Sequence, residues 1–239
     1  MKRIVLPLLL LTSVVTFGQS GLLKKASGLL NKTSGSGTGL STDEIVAGLK
    51  DALSIGAQNG ANKLSAVDGF FANAAIKVLM PPEAKKVEST LRSAGMGKLV
   101  DDAILSMNRA AEEASKSAAP IFVDAVKNMS INDALGILKG ADTAATGYLR
   151  GKTTAALTTA FHPVIEAALQ KTNATKYWKT VVDAYNKIPL TSKVNADLPA
   201  YVTDKALGGM FYQVAQEEQK IRKDPASRVT DILKKVFGS

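Results

Sequence analysis

Residues 97–118 constrain the fold of this chain more than any other segment. Val100, Ala103, Ile104, Met107, Ala110, Ala111 and Ala114 recur at three- and four-residue spacing and line one face of a helix. Asp101, Asp102, Arg109, Glu112, Glu113 and Lys116 lie opposite and read as a solvated face. Alanine dominates the inward set, which favours closely packed helices. A sheet would need more β-branched and aromatic residues, and aromatics are only 5% of the 239 residues.

Helix punctuation continues along the chain. Ser41-Thr-Asp-Glu44 reads as a capping box, with Leu40 and Ile45 as its hydrophobic staple, and predicts a helix to about Leu64. Asp68-Gly69-Phe70-Phe71 interrupts it. Ile76 to Met80 reads as extended, because a residue before proline avoids the helical region and Pro81-Pro82 follows. Pro82 opens a helix that stops near Gly95. Pro120 starts another to about Asn128, and Ser130 caps a short one ending at Gly140. Asp142 caps a longer one through Leu149 to Ala160, where Pro163 either kinks it or starts a new helix to about Lys171.

Residues 174–187 predict a helix carrying Tyr177, Trp178 and Tyr185. Asp197 and Pro199 begin a long helix with Leu207, Met210, Phe211, Val214 and Ile221 on its core face, and Asp224-Pro225 begins a last one to Phe237. No strand pair or fixed-period repeat is visible. The expected fold is all-α: one bundle-like domain over residues 40–239 with roughly eight to ten helices and no significant sheet.

The first residues read as an address. Lys2 and Arg3 precede an apolar stretch twelve residues long, Ile4 to Val15, and Thr16 and Gly18 supply small side chains for a cut before Gln19. The apolar run is shorter than the ~20 residues a membrane span needs, so residues 1–18 are expected to be a cleaved secretory signal. No cysteine follows that would take a lipid. Residues 19–39 read as a short basic amphipathic helix and a Gly/Ser tether, Thr33 to Gly39. Leu22, Leu29 and Leu30, with Lys24 and Lys25, either fold back onto the body or rest on an anionic membrane surface.

Charge does not point to nucleic acid. Five of the 30 Lys and Arg lie in residues 1–40, which hold no acid, whereas all 21 acids are interspersed with the remaining bases. A nucleic-acid binder concentrates positive charge on one face. With no cysteine in the chain, the exported domain must be held by its core alone.

Catalytic chemistry has little to stand on. The one histidine, His162, has no Gly-x-Ser-x-Gly turn to serve, and no residue set has the spacing of a zinc or calcium shell. No catalytic residue, metal site or cofactor is expected. The candidate site is a set of polar residues: Glu218 and Lys152 tend inward by helical period, Asn108 lies on a packed face, Arg222 is one turn from Glu218, and Arg109 is able to approach from another helix. They form either an internal network that fixes helix register or the polar floor of an apolar ligand pocket. Gly147, Gly151, Gly208 and Gly209 are expected to let backbones approach closely.

Met107-Asn-Arg-Ala-Ala-Glu112, Asp133-Ala-Leu-Gly-Ile-Leu138, Ala144-Ala-Thr-Gly-Tyr-Leu149, Tyr201-Val-Thr-Asp-Lys-Ala-Leu207 and Glu217-Glu-Gln-Lys-Ile-Arg-Lys-Asp-Pro225 occur in this order. Together they resemble a family of exported bacterial helical proteins catalogued as domain of unknown function 4197, over nearly all of residues 40–237. That resemblance implies an all-helical protein of a Gram-negative envelope, and no activity. The expected function is a non-enzymatic periplasmic binding or interaction protein, either free or peripheral to an envelope membrane. Its partner would be an envelope protein or a membrane surface. The alternatives are a carrier of an apolar ligand such as a lipid or fatty acid, and a hydrolase.

Overall fold

The computed structural model describes residues 41–172, 174–186, 193, 197–224, 228, 231 and 234. Every regular element among them is helical. The expected signal (1–18), the basic helix and tether (19–39) with Leu22, Lys24, Lys25, Leu29 and Leu30, and the Leu40 staple lie outside the described residues, as does most of the helix expected to reach Phe237.

Helix α1 (Thr42–Ser65) starts directly after Ser41 and buries Ile45, Leu49, Leu53 and Leu64. Its glycines are contact points rather than weak points. A Cβ at Gly56 would touch Ile221 and one at Gly60 would touch Gln213, at 3.6 and 3.5 Å. A 3-10 turn (Pro82–Ala84) leads into α2 (Lys85–Ser93). That helix stops as glycine allows: Gly95 has φ +78°, while the Met96 and Gly95 amides donate to the Leu91 and Arg92 carbonyls.

Helix α3 (Gly97–Ser115) buries the expected face, Val100, Ile104, Met107, Ala110, Ala111 and Ala114. Short helices α4 (Ala118–Lys127) and α5 (Ile131–Lys139) follow. Ser130 and Asp133 form a reciprocal capping box at the start of α5. The Ser130 hydroxyl and amide hold the Asp133 carboxyl below its ordinary range.

Helix α6 (Ala144–Lys171) runs unbroken through Pro163. The ring is on an exposed position, as is Thr159 one turn earlier, so the carbonyl that loses its amide partner can take water. After α7 (Ala174–Tyr185), Asp197 accepts from the Ala200 amide and starts α8 (Leu198–Lys223). The upper part of the expected helix count is not reached among the described residues, because Pro163 begins no new helix.

The centre is formed by α3, α6 and α8, with α6 packed on both others and α1 against α4 and α8. Phe70, Phe122, Phe161 and Phe211 are fully buried there. Phe122 meets Phe211 edge to face, with centroids 5.9 Å apart. No helix of the described residues is long and apolar enough to cross a membrane.

Candidate functional site

Glu218 lies on α8 beside the core face, and its carboxylate serves a helix it does not belong to. The amides of Ala145 and Thr146, in the first turn of α6, donate to its two oxygens at 2.9 Å each. The Thr146 hydroxyl adds a third bond at 2.8 Å. Helix α6 has no side-chain cap from its own Thr143. Glu218 therefore supplies both acceptor and negative charge at the helix N-terminus. Arg222, one turn on, pairs with Glu218 at 3.0 Å and donates 2.8 Å to the Ile137 carbonyl near the end of α5. Asp142, the expected cap, instead pairs with exposed Lys223 at 2.6 Å, which holds the Asp142 carboxyl below its ordinary range.

A second buried carboxylate corrects the expectation for α3. Glu112 was placed on the solvated face, yet it is 4% exposed. Its Oε1 accepts from the amides of Phe70 and Phe71 at 3.1 and 3.2 Å, and Arg109 donates to Oε2 at 2.6 Å. Arg109 also reaches Asp68 at 2.7 Å, the residue whose φ of +67° turns the chain after α1. Glu112 and then Asp68 raise the Arg109 pKa, so it stays a cation. Asn108 completes the strip. Its side-chain oxygen accepts from the Val78 amide at 2.9 Å, and its nitrogen donates to the Val78 and Ile104 carbonyls at 2.8 and 2.7 Å. One turn of α3 thus binds residues 68–78 much as a neighbouring strand would.

The five candidate residues therefore serve separate places. Glu218 and Arg222 hold α5 and α6 together, while Asn108 and Arg109 moor the 68–78 segment. Lys152 is exposed rather than inward. It borders a shallow groove with Tyr148, Asp124 and Asp133, because the flank it shares with Tyr148 and Ala156 is not covered. His162 is half-buried within α6, and no cluster of three or more His, Asp or Glu gathers among the described residues.

The glycines divide likewise. Of Gly147, Gly151, Gly208 and Gly209, only Gly209 marks a close approach, since a Cβ there would lie 2.5 Å from the Phe70 ring. At Gly147, Gly151 and Gly208 a Cβ would meet nothing within 4 Å. Gly147→Ala and Gly151→Ala are each expected to stabilise the protein by about 0.5–1 kcal/mol, the helical cost of glycine. Gly209→Ala should destabilise it by about 1–3 kcal/mol through overpacking. Urea melts of the three variants check the signs.

The cavity that best fits a ligand is elsewhere, a cleft of about 560 Å³ between α2, α3, α7 and the start of α8. Val87 and Leu91 of α2, Val100 and Met107 of α3, Trp178 of α7 and Leu198 of α8 line it. Helix α2 buries none of its residues, although Val87 and Leu91 share its inner face. It packs chiefly on α3, leaving that face half covered over the cleft. The indole N–H of Trp178 is buried in the wall with no acceptor among the described residues. The only sequence signal for this site was that Trp178 is the single tryptophan.

The model of the family described as "Protein of unknown function (DUF4197)" matches residues 39–238. No curated protein and no solved structure matches the chain.

Proposed function

The chain belongs to the DUF4197 family, and from its geometry we propose that it is an exported, non-enzymatic binding protein that holds a small apolar ligand in the cleft beneath α2. The observation that carries this is the half-covered apolar face of α2 above a cleft of about 560 Å³. That volume falls within the ~300–1,000 Å³ of ordinary ligand sites, which are mostly apolar with few polar groups. Here the polar residues are Asp102, Ser106 and Thr172. A fatty acyl chain suits such walls, with its polar end toward solvent. A turn of the Trp178 ring toward the cleft would bring its N–H to an oxygen of the ligand, relieving a buried unsatisfied donor.

The polar candidates named from the sequence do not form this floor. Glu218, Arg222, Asn108 and Arg109 are spent on structure, so the ligand reading moves to another part of the molecule. Hydrolysis has less support, because both oxygens of Glu218 are occupied and His162 lies within a continuous helix. The expected signal at residues 1–18 would place the domain in a Gram-negative periplasm, where a carrier has lipid to bind.

Native mass spectrometry of protein purified from its own envelope tests the proposal. The expected spectrum contains an added apolar molecule of discrete mass, depleted in Val87→Gln/Leu91→Gln. Ligand-free protein in repeated preparations would contradict it.

A further inference from the structure

We propose that a second groove, between residues 75–77, α6 and α8, binds a phosphate-bearing anion through Lys77, Arg150 and Lys205. The groove encloses about 620 Å³, and these three cations face a single carboxylate, Asp204, on its walls. Among the described residues none of the three is in an ion pair. Each instead lies against an aromatic ring: Lys77 3.7 Å from the Phe71 centroid, Arg150 4.5 Å from Phe211 and Lys205 5.5 Å from Tyr201.

That difference matters chemically. A ring attracts a cation through its quadrupole but leaves the positive charge uncancelled. Arg109 and Arg222 spend their donors on carboxylates, and Arg228 donates to the Ile221 and Arg222 carbonyls at the end of α8. Among the described residues, Arg150 alone of the arginines donates to neither carboxylate nor carbonyl. Its planar fork of N–H groups is thus positioned and open, the arrangement that recognises a phosphate by paired hydrogen bonds.

Two of the rings that hold the cations are themselves fixed. Phe211 is buried against Phe122, and the Tyr201 hydroxyl donates to the Leu79 carbonyl at 3.1 Å. Arg150 and Lys205 therefore rest on anchored rings before any ligand arrives, which limits the ordering cost of binding. Gly208 forms part of the lining where a side chain would intrude, and a Cβ there would meet only open space.

Two arms distinguish a free phosphate from a lipid headgroup. Purified protein is titrated with inorganic phosphate by calorimetry, and sedimented with phosphatidylglycerol vesicles against phosphatidylcholine controls. Binding is expected in at least one arm, weakening as salt screens the charges. Lys77→Gln/Arg150→Gln/Lys205→Gln should weaken it at least about tenfold, because it removes all three cations that attract the anion. Gly208→Glu should do the same by placing a carboxylate in the groove. It leaves every cation–ring contact intact and suits a helix, so it tests the site even where the triple variant melts early. Phosphate binding without vesicle binding identifies a soluble phosphorylated ligand, and vesicle binding alone identifies a lipid headgroup. No binding in either arm, or binding unchanged by both variants, overturns the proposal.

Discussion

Glu218→Ala is expected to lower the folding free energy by about 3–5 kcal/mol, the usual result of removing one partner of a buried ion pair. That is a large part of the ~5–15 kcal/mol that holds a domain together. The loss has two sources. Arg222, with a side chain only 11% exposed, is left without its carboxylate. The Ala145 and Thr146 amides are left without acceptors at the start of α6. These sources can be separated. Replacing both members of a simple buried pair with apolar residues often restores stability. Here Glu218→Met/Arg222→Met should recover little, because the α6 amides remain unsatisfied, whereas the Ile137 carbonyl keeps the Gly140 amide as a donor. Urea unfolding of the two variants measures the difference. Full recovery in the double variant would show that the capping of α6 contributes nothing.

The second large effect is expected at Glu112. Glu112→Ala removes a charged acceptor from the Phe70 and Phe71 amides, for about 1.5–3 kcal/mol on the scale of hydrogen bonds to ionised groups. The figure is smaller than for Glu218 because Arg109 is 38% exposed and water can solvate it. The loss should be local as well as global. Residues 68–78 are moored to α3 through Glu112, Arg109 and Asn108, so the variant should be cleaved faster in this segment by a limiting amount of protease. Asn108→Leu should give the same pattern, since it strands both the amide and the carbonyl of Val78. Unchanged cleavage in both variants would mean that the segment is held by Phe70 packing alone.

What was legible in the sequence follows what was local. The α3 core face, the Ser130 cap, the Gly95 stop and the Asp197 start are decided within a turn of helix, and each is found where the residues place it. Glu218 and Asn108 were recognisable as inward-facing by period. Their partners were not, because Ala145 and Val78 lie 73 and 30 residues away and are met only through the fold. Glu112 was misplaced for the same reason, since a helical wheel cannot show a loop folding over the polar face. Lys152 failed in the opposite direction, because its spacing suggests a buried flank that no helix covers. The cleft was not legible beyond its single tryptophan, being assembled from α2, α3, α7 and α8, none of which is unusual alone.

The central claim, that the cleft beneath α2 holds an apolar ligand, is tested most directly by titrating the fluorescence of Trp178 with dodecanoate and dodecanol. Trp178 is the single tryptophan and lies in the cleft wall, so it reports on that site. A saturable change reaching one ligand per chain is predicted, and Val87→Gln/Leu91→Gln should abolish it without lowering the melting temperature. A linear response to both compounds, or a saturable one that the double variant leaves intact, would contradict it.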